Sequence, residues 1–360
     1  MKRNYSHGVR SIPFFVVLLL LTFVGINSCK KNKSPETSAS QEVLKPQGTD
    51  RLLSVANVYY TPDGKKAEAW FYETPLVYEF SASGIHAKDN FAALKFAKEN
   101  NVPVNVRLVA HVEDLIDVVI PATAEQIESF KAEVSKRENA EEVLTPENPG
   151  LLPNDPSASS KGTAIATSLI SLVPNTTVLN TIFNTVKSQC CKLPGVFLYG
   201  QCIPFQFVAD GCYARAHKTR QIIESYYGYA SYKVFNYACS GSGTLAVNSN
   251  LWGNNCCVHW WYHVASYVNV YSSRSGSVSY VIDPSMFVGP VTISSWIAAQ
   301  KNVNCGYGGD AQGHVYTASN GYGPSSLNST TCSLVTYVDN TYTAADATCS
   351  AYSKKQGCSF

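Results

Sequence analysis

The stretch "ADGCYARAHKTRQII", residues 209–223, decides how the C-terminal half of the sequence is interpreted. Asp210 and Gly211 are residue types that favour a turn or a helix N-cap, and good helix formers follow them. This pattern predicts a helix with Cys212 in its first turn and Asp210 as its cap. At that position, unpaired backbone N–H groups and the positive end of the helix dipole favour an anion.

The position of Cys212 favours a reactive thiolate. A cysteine with an ordinary pKa near 8.5 is only about 3% ionised at pH 7. A helix N-terminus or a neighbouring imidazolium lowers the pKa of such a thiol to roughly 3.5–7.5. The alternative is a disulfide, although the region from Cys190 to Cys358 holds eleven cysteines, an odd number. Local context leaves both roles open.

A thiolate nucleophile needs a base within hydrogen-bond reach and a group that orients this base. The C-terminal half offers four candidates, His217, His259, His263 and His314. His217 follows Cys212 by five residues, about 140° around the helix, which predicts a surface or packing role. His259 and His263 point to the same face of a predicted strand, so spacing cannot choose between them. His314 lies in a glycine-rich segment and is placed least well.

Asp283 is the candidate for the orienting carboxylate. It ends the apolar run "SYVI" before a proline, twenty residues after His263. Two neighbouring strands would bring this carboxylate beside an imidazole, and the alternative is that it caps the turn at Pro284. The order Cys, His, Asp is similar to that of papain-like and transglutaminase-like hydrolases, so the predicted chemistry is acyl transfer.

The first 29 residues have the layout of an export signal. Basic residues precede the apolar run of residues 12–26, and small and polar residues lead to Cys29. An apolar run of 15 residues is short for a transmembrane span. Cys29 is either lipidated, which would make the precursor an outer-membrane lipoprotein, or incidental to ordinary signal-peptide cleavage. In both cases the protein is exported, and we expect its processed form to be secreted.

The rest of the chain divides by composition. Residues 30–50 form a polar tether. Residues 51–144 carry strand-like and helix-like segments typical of a small α/β domain, and no reactive side-chain cluster. Residues 145–168 are rich in Pro, Asn, Gly and Ser, as in a linker that proteases cut. Residues 169–360 begin with a helix and continue with strands, which indicates an α+β domain.

Charge divides in the same way, with 20 acidic and 15 basic residues from Lys30 to Lys161, net −5, and 6 acidic against 10 basic from residue 166 onward, net +4. The N-terminal domain could therefore dock on the C-terminal one, and the alternative is two unrelated solvated surfaces. A net charge of +4 is too small and too dispersed to indicate nucleic-acid binding.

Cysteines are confined to the C-terminal domain apart from Cys29, which in an exported protein predicts disulfides. Besides Cys212 there are ten, enough for up to five bridges whose pairing the sequence does not specify: Cys190, Cys191, Cys202, Cys239, Cys256, Cys257, Cys305, Cys332, Cys349 and Cys358. Zinc binding is the weaker interpretation because two CxxC clusters are missing.

Three motifs, "DGCYARAHKTRQI", "CCVHWWYHVA" and "IDPSMFVGPVT", together resemble the bacterial protein-glutaminases. The resemblance runs from about Leu169 to the C-terminus, and residues 70–130 more weakly resemble the pro-region of that family. It implies a papain/transglutaminase-like core with an antiparallel sheet and an N-terminal catalytic helix, preceded by an inhibitory α/β pro-domain. It also implies Cys212, His263 and Asp283 as the catalytic residues.

The same resemblance implies a function. The enzyme would deamidate glutamine side chains of proteins or peptides to glutamate, through a thioester on Cys212, with release of ammonia. A protease would activate the proenzyme, in which we expect residues 71–80 to lie across the site. We expect the enzyme to be a monomer. We also expect no cofactor or metal, since phosphate-loop, EF-hand and HExxH motifs are missing. The alternatives are a transglutaminase-like acyltransferase, a papain-like protease and a disulfide-stapled binding module.

Overall fold

The computed structural model describes residues 50–110, 112, 114–139, 169–238, 243–307, 312–328, 333–338 and 342–358. The predicted export signal with Cys29, the tether apart from Asp50, and the cleavable linker lie outside these residues. The fold is α+β with antiparallel sheets, as the sequence predicts.

Strands are the commonest regular element. The strands are β1 (Asp50–Tyr60), β2 (Lys66–Phe71), β3 (Thr74–Ser81), β4 (Pro103–Leu108), β5 (Ile116–Pro121), β6 (Tyr232–Ala238), β7 (Leu245–Ser249), β8 (Cys256–Trp260), β9 (Tyr262–Ser272), β10 (Gly276–Ile282), β11 (Val291–Thr292), β12 (Gln312–Ala318), β13 (Gly321–Asn328) and β14 (Ser333–Val338). The α-helices are α1 (Ala87–Asn100), α2 (Ala124–Asn139), α3 (Thr176–Ser188), α4 (Cys212–Gln221), α5 (Ile293–Ala299) and α6 (Tyr342–Tyr352). No helix in this described part of the chain is long and apolar enough to cross a membrane.

The N-terminal strands are covered by α1. This helix buries Ala87, Leu94 and Ala97, whose spacings of seven and three residues put them on one face. Asn90, on the same face, donates from its amide to the Asp117 carbonyl at 3.0 Å. Its side-chain oxygen also accepts a hydrogen bond from a backbone N–H of β5 at 2.9 Å. Apolar burial and this amide bridge together fix α1 on the sheet.

One seven-stranded sheet joins the N-terminal part, residues 50–139, to the C-terminal part, residues 169–358. Its strand order is β5-β4-β1-β2-β3-β8-β7. The junction is the antiparallel pair Leu76 and Trp260, between β3 and β8. Next to it, the N–H of Trp261 donates to the Pro75 carbonyl at 3.0 Å. The N-terminal part therefore adds its strands to the edge of the C-terminal part.

A second, five-stranded sheet has the order β11-β10-β9-β6-β12. On it packs α3, which buries Leu179, Ile182, Phe183 and Val186 along one face and is capped by the side chain of Asn175. The contact with α4 includes a hydrogen bond of 2.7 Å from the Ser266 hydroxyl to the Ala216 carbonyl. The long central strand β9 thus lies directly beneath the helix that carries Cys212.

Among its described residues, the C-terminal part contains three disulfides, Cys191–Cys202, Cys256–Cys358 and Cys257–Cys305. The sequence allows up to five bridges among the ten cysteines other than Cys212, and two of these ten, Cys190 and Cys349, are free and buried. Each lies in an apolar cluster, where a free cysteine packs as a small hydrophobic residue. Cys239 and Cys332 lie outside the described residues.

Candidate active site

The helix that carries Cys212 begins where the sequence predicts. Cys212 is the first residue of α4, and Gly211 before it adopts a left-handed conformation with φ of 77°. A Cβ at Gly211 would also lie 2.9 Å from the Tyr352 ring, so both backbone and space require glycine. The first N–H groups of a helix have no partner within it, so the start of α4 is suited to an anion.

The prediction that Asp210 caps α4 is wrong. The helix has no side-chain cap, because Gly211 turns the chain between Asp210 and the first helical residue. The Asp210 carboxylate instead accepts hydrogen bonds from the Gly211 N–H at 2.6 Å and the Tyr352 hydroxyl at 2.8 Å. Burial raises the pKa of Asp210, although these bonds and the nearby Arg215 oppose the shift. Asp210 therefore holds the loop before Cys212.

His263 and Asp283 form a hydrogen-bonded pair. His263 Nε2 lies 2.9 Å from Asp283 Oδ2, and both side chains are almost fully buried. The pair forms because His263 is near the start of β9 while Asp283 directly follows β10, its antiparallel neighbour. Ile282, the last residue of β10, pairs with Ser266 of β9. The β9–β10 hairpin therefore brings the side chains of His263 and Asp283 together.

Asp283 is held by two further residues. The Ser285 backbone N–H, at 3.2 Å, and the Ser285 hydroxyl both donate to Oδ1. The Trp296 indole N–H donates to Oδ2 at 3.0 Å. Burial alone would raise the pKa of Asp283, but the bonds from His263, Ser285 and Trp296 outweigh it and lower the pKa to about 2. The carboxylate therefore stays ionised at neutral pH.

The imidazole of His263 is enclosed by aromatic rings. The Trp260 ring lies nearly parallel to it, with 4.3 Å between centroids. Trp260 also donates from its indole to the carbonyls of Val208 and Ala209 at 3.1 and 3.2 Å, which ties the loop before α4 to the histidine. Burial lowers the pKa of His263, opposed by Asp283. Within the described residues, Nδ1 of His263 makes no hydrogen bond, so this nitrogen is free to act on a thiol.

The thiol of Cys212 lies beside the residue that follows this histidine. The N–H of Val264 donates to it, and only 1% of Cys212 is exposed. Burial raises the pKa of the thiol to about 12, against the opposing effects of Arg215 and of the Val264 N–H. The sequence predicts a lowered pKa, and the difference arises because apolar side chains cover the thiol. In this covered state Cys212 is protonated.

The N-terminal part contributes to the apolar cluster that contains Cys212. Cys212 lies in one apolar cluster with Ala56, Trp70 and Trp261. The Trp261 indole stacks on Trp70 with 5.9 Å between centroids, and its N–H donates to the carbonyls of Phe71 and Thr74 at 3.1 and 2.8 Å. The turn between β2 and β3 is therefore fastened over the candidate site. This agrees with the expected position of residues 71–80.

The other three histidines have different surroundings. His217 is buried, and its Nδ1 lies 3.0 Å from the Lys233 ammonium. Burial holds the pKa of His217 well below the ordinary value. His259 lies 3.2 Å from the Thr244 hydroxyl. His314 is exposed on β12. The described residues contain no group of three or more His, Cys, Asp or Glu side chains that could hold a metal ion.

Several residues around the site are not predicted by the sequence. Ser285 stands two positions after Asp283, so the Asp-Pro-Ser motif itself is the signal that could have identified it. Trp260 and Trp296 have no such signal, since only folding brings them to His263. Arg215 follows Cys212 by one helical turn, and its buried guanidinium donates to the Phe207 and Asp210 carbonyls.

Comparisons with known proteins give matches in sequence and in structure. A family model described as glutaminase matches residues 179–300. A crystal structure of a pro-protein-glutaminase is 27% identical, covers 86% of this chain and 95% of its own, and gives a TM-score of 0.63. A crystal structure of a mutant of pro-protein-glutaminase is 28% identical, with a TM-score of 0.64. The match covers 87% of this chain and 96% of the mutant chain. An NMR structure of protein-glutaminase from Chryseobacterium proteolyticum is 34% identical, with a TM-score of 0.42. The match covers 53% of this chain and 93% of the other chain.

The extent of the first two matches bears on the N-terminal part. A match over 86% of 360 residues is longer than the region from residue 169 to the C-terminus, so it extends into strands β1 to β5. Similarity to the proenzyme form thus includes the part that covers Cys212. No curated protein matches the chain significantly in sequence.

Proposed function

The chain belongs to the protein-glutaminase family, and from this premise we propose that it is a protein-glutamine deamidase made as an inactive proenzyme. It hydrolyses the side-chain amide of glutamine in proteins or peptides to glutamate and releases ammonia. The observation that carries the proposal is the buried pair of His263 and Asp283, joined at 2.9 Å beside the helix start that holds Cys212.

Each member of this set has one role. Cys212 is the nucleophile, and its position at the start of α4 favours the thiolate once the site is open. His263 is the proton carrier, with Nε2 engaged by Asp283 and Nδ1 left for the thiol and the leaving group. Asp283 fixes the tautomer and the direction of the imidazole, and stabilises the imidazolium.

The reaction has two steps. In the first, Sγ of Cys212 bonds to the carboxamide carbon, the C–N bond breaks, and the nitrogen leaves as ammonia with a proton from the His263 imidazolium. This leaves a γ-glutamyl thioester. In the second, water gives a proton to the now neutral His263 and adds to the thioester carbon, the C–S bond breaks, and glutamate leaves.

Negative charge on the carboxamide oxygen needs hydrogen-bond donors in the transition state. The N–H of Cys212 is one such donor, since it lies at the open N-terminus of α4. The loop before the helix is held by the Trp260 indole and by Arg215, so this donor is fixed in place before substrate binds. Fixed donors of this kind stabilise the oxyanion without reorganisation cost.

The region of residues 51–144 acts as an inhibitory pro-domain. Its turn between β2 and β3 is bonded to Trp261 and its Trp70 lies in the cluster that covers Cys212, which denies substrate access to the thiol. The same cover keeps the thiol protonated. Two effects, exclusion and a raised pKa, therefore make the intact chain inactive.

Activation requires cleavage of the segment of residues 145–168 by a protease outside the cell, after export of the chain. Within that segment, Lys161 is the single basic residue, and the nearest others are Arg137 and Lys187. Trypsin can therefore cut the segment at one position only. The released C-terminal domain then acts as a monomer on exposed glutamines.

The experiment that tests the proposed function measures three products at once. The full chain is cut with trypsin and incubated with casein, and ammonia, amine incorporation and casein fragments are recorded. We expect ammonia, conversion of glutamine to glutamate by mass spectrometry, and a casein that is neither cross-linked nor shortened. A chain carrying Lys161→Gln is the control, and we expect little ammonia from it.

The remaining outcomes identify the rival functions. Incorporation of a primary amine or cross-linked casein would assign the same side chains to an acyltransferase, because an amine then replaces water. Casein fragments with new termini would assign them to a protease. None of the three products, from a chain whose segment is verifiably cut, would favour a binding module.

A further inference from the structure

Trp296 touches both members of the buried His–Asp pair. Its indole N–H donates to Asp283 Oδ2 at 3.0 Å, the same oxygen that lies 2.9 Å from His263 Nε2. Its ring is also within 27° of parallel to the imidazole, with 5.4 Å between centroids. One side chain thus constrains the carboxylate by a hydrogen bond and the imidazole by ring contact.

Trp296 is itself linked to β6, the strand that pairs with the histidine's strand β9. The Gln300 amide donates to the Trp296 carbonyl at 3.0 Å, and its side-chain oxygen accepts from the Asn236 amide at 3.0 Å. Asn236 of β6 lies directly opposite His263 of β9. These contacts form a closed chain of fully buried side chains, so α5 cannot shift without disturbing the pair.

From these contacts we propose that Trp296 is a positioning residue that holds Oδ2 of Asp283 towards Nε2 of His263 and thereby directs Nδ1 to Cys212. The inference rests on the proposed function. Ser285 holds the other carboxylate oxygen, so Trp296 and Ser285 together prevent the carboxyl group from rotating. The simpler role is filling of the apolar cluster with Val234, Ala265 and Val281, which would require the ring and not its N–H.

The test separates the N–H from the ring. Full chains with Trp296→Phe, or with 3-benzothienylalanine in place of Trp296, are cut with trypsin beside the wild type. The second variant keeps the ring size and lacks only the donor, so it is expected to fold even if the smaller phenylalanine leaves a cavity. For both, we expect kcat for ammonia release to fall about 10- to 100-fold, with KM within about twofold.

Trp252→Phe is the matched control. Its indole donates to the carbonyl of Pro284 at 2.8 Å, so the same replacement removes the same kind of bond beside the same loop without touching Asp283. We expect its kcat to remain within about twofold of the wild type. The downfield proton resonance of the imidazole N–H facing Asp283 should shift in the Trp296 variants and stay unchanged in this control.

Equal kcat values for the 3-benzothienylalanine chain and the wild type, or equal losses in the Trp296 and Trp252 variants, would overturn the proposal. Alkylation of Cys212 by iodoacetamide is measured in parallel, because it depends on the thiol and its base and not on the substrate. If wild type releases no ammonia, the deamidase proposal fails. Slower alkylation in the Trp296 variants would then still support the positioning role, and equal rates would contradict it.

Discussion

Replacement of Cys212 by alanine is expected to lower ammonia release by the trypsin-cut chain on the order of 10⁴-fold or more. In the proposed mechanism Cys212 forms the covalent intermediate, so His263 and Asp283 have nothing to activate once the thiol is gone. Because Cys212 is fully buried at a helix start, alanine removes one sulfur atom and leaves the backbone donors in place. The measurement is the initial rate of ammonia release at saturating substrate.

Cys190→Ala and Cys349→Ala are the controls for this loss. Both residues are free, buried cysteines of the same C-terminal part, and burial raises the pKa of both thiols. We expect each variant to lose stability and to keep kcat within about twofold. Activity that survives in Cys212→Ala and disappears in either control would move the nucleophile away from α4.

Cleavage after Lys161 is expected to raise the rate of ammonia release on the order of 100-fold. In the proposed proenzyme the intact chain reacts only through the small fraction in which the N-terminal part has opened, and an open fraction of about 1% would lower the apparent rate about 100-fold. In the closed state the hydrogen bonds from Trp261 to Phe71 and Thr74 hold the cover in place. Rates before and after trypsin treatment measure the effect.

Two further measurements distinguish release of the N-terminal part from general destabilisation of the chain by the protease. The rate of Cys212 alkylation should rise with the same time course as ammonia release, since burial that raises the thiol pKa to about 12 is lost. A chain with Lys161→Gln should stay slow in both. Full activity of the intact chain would contradict the inhibitory role of residues 51–144, while leaving the deamidase assignment in place.

The start of α4 was predictable because its signals are local. Turn-forming residues followed by helix formers predict the helix, and the structure starts it at Cys212. The choice between His259 and His263 is not local, since both point to the same face in a strand pattern. It depends on which histidine meets a carboxylate, and only the β9–β10 hairpin brings Asp283 to His263.

Other features depend on contacts far apart in the sequence. Burial in a cluster built from both the N-terminal and the C-terminal parts raises the pKa of Cys212, so a helix-terminus argument alone predicts the wrong direction. Strand β1 contains a bulge between Val55 and Asn57, which interrupts the alternation by which a strand is identified in a sequence. The free state of Cys190 and Cys349 follows from their burial in separate clusters, which cysteine spacing does not encode.

Trp296 is the clearest case of a residue that sequence patterns cannot assign. It stands thirteen positions after Asp283 on the seven-residue helix α5, with no motif around it. Its contacts with Asp283 and His263 exist because α5 packs against the end of β10. Tertiary packing, and not local propensity, completes the surroundings of the pair.

The most direct test of the proposed mechanism is detection of the thioester on Cys212. The trypsin-cut chain is mixed with a glutamine peptide, quenched with acid during turnover, and its Cys212 peptide is analysed by mass spectrometry. We expect a glutamyl adduct on Cys212 that forms with ammonia release and decays as glutamate appears. Ammonia release with an adduct on another cysteine, or with none at any quench time, would contradict it.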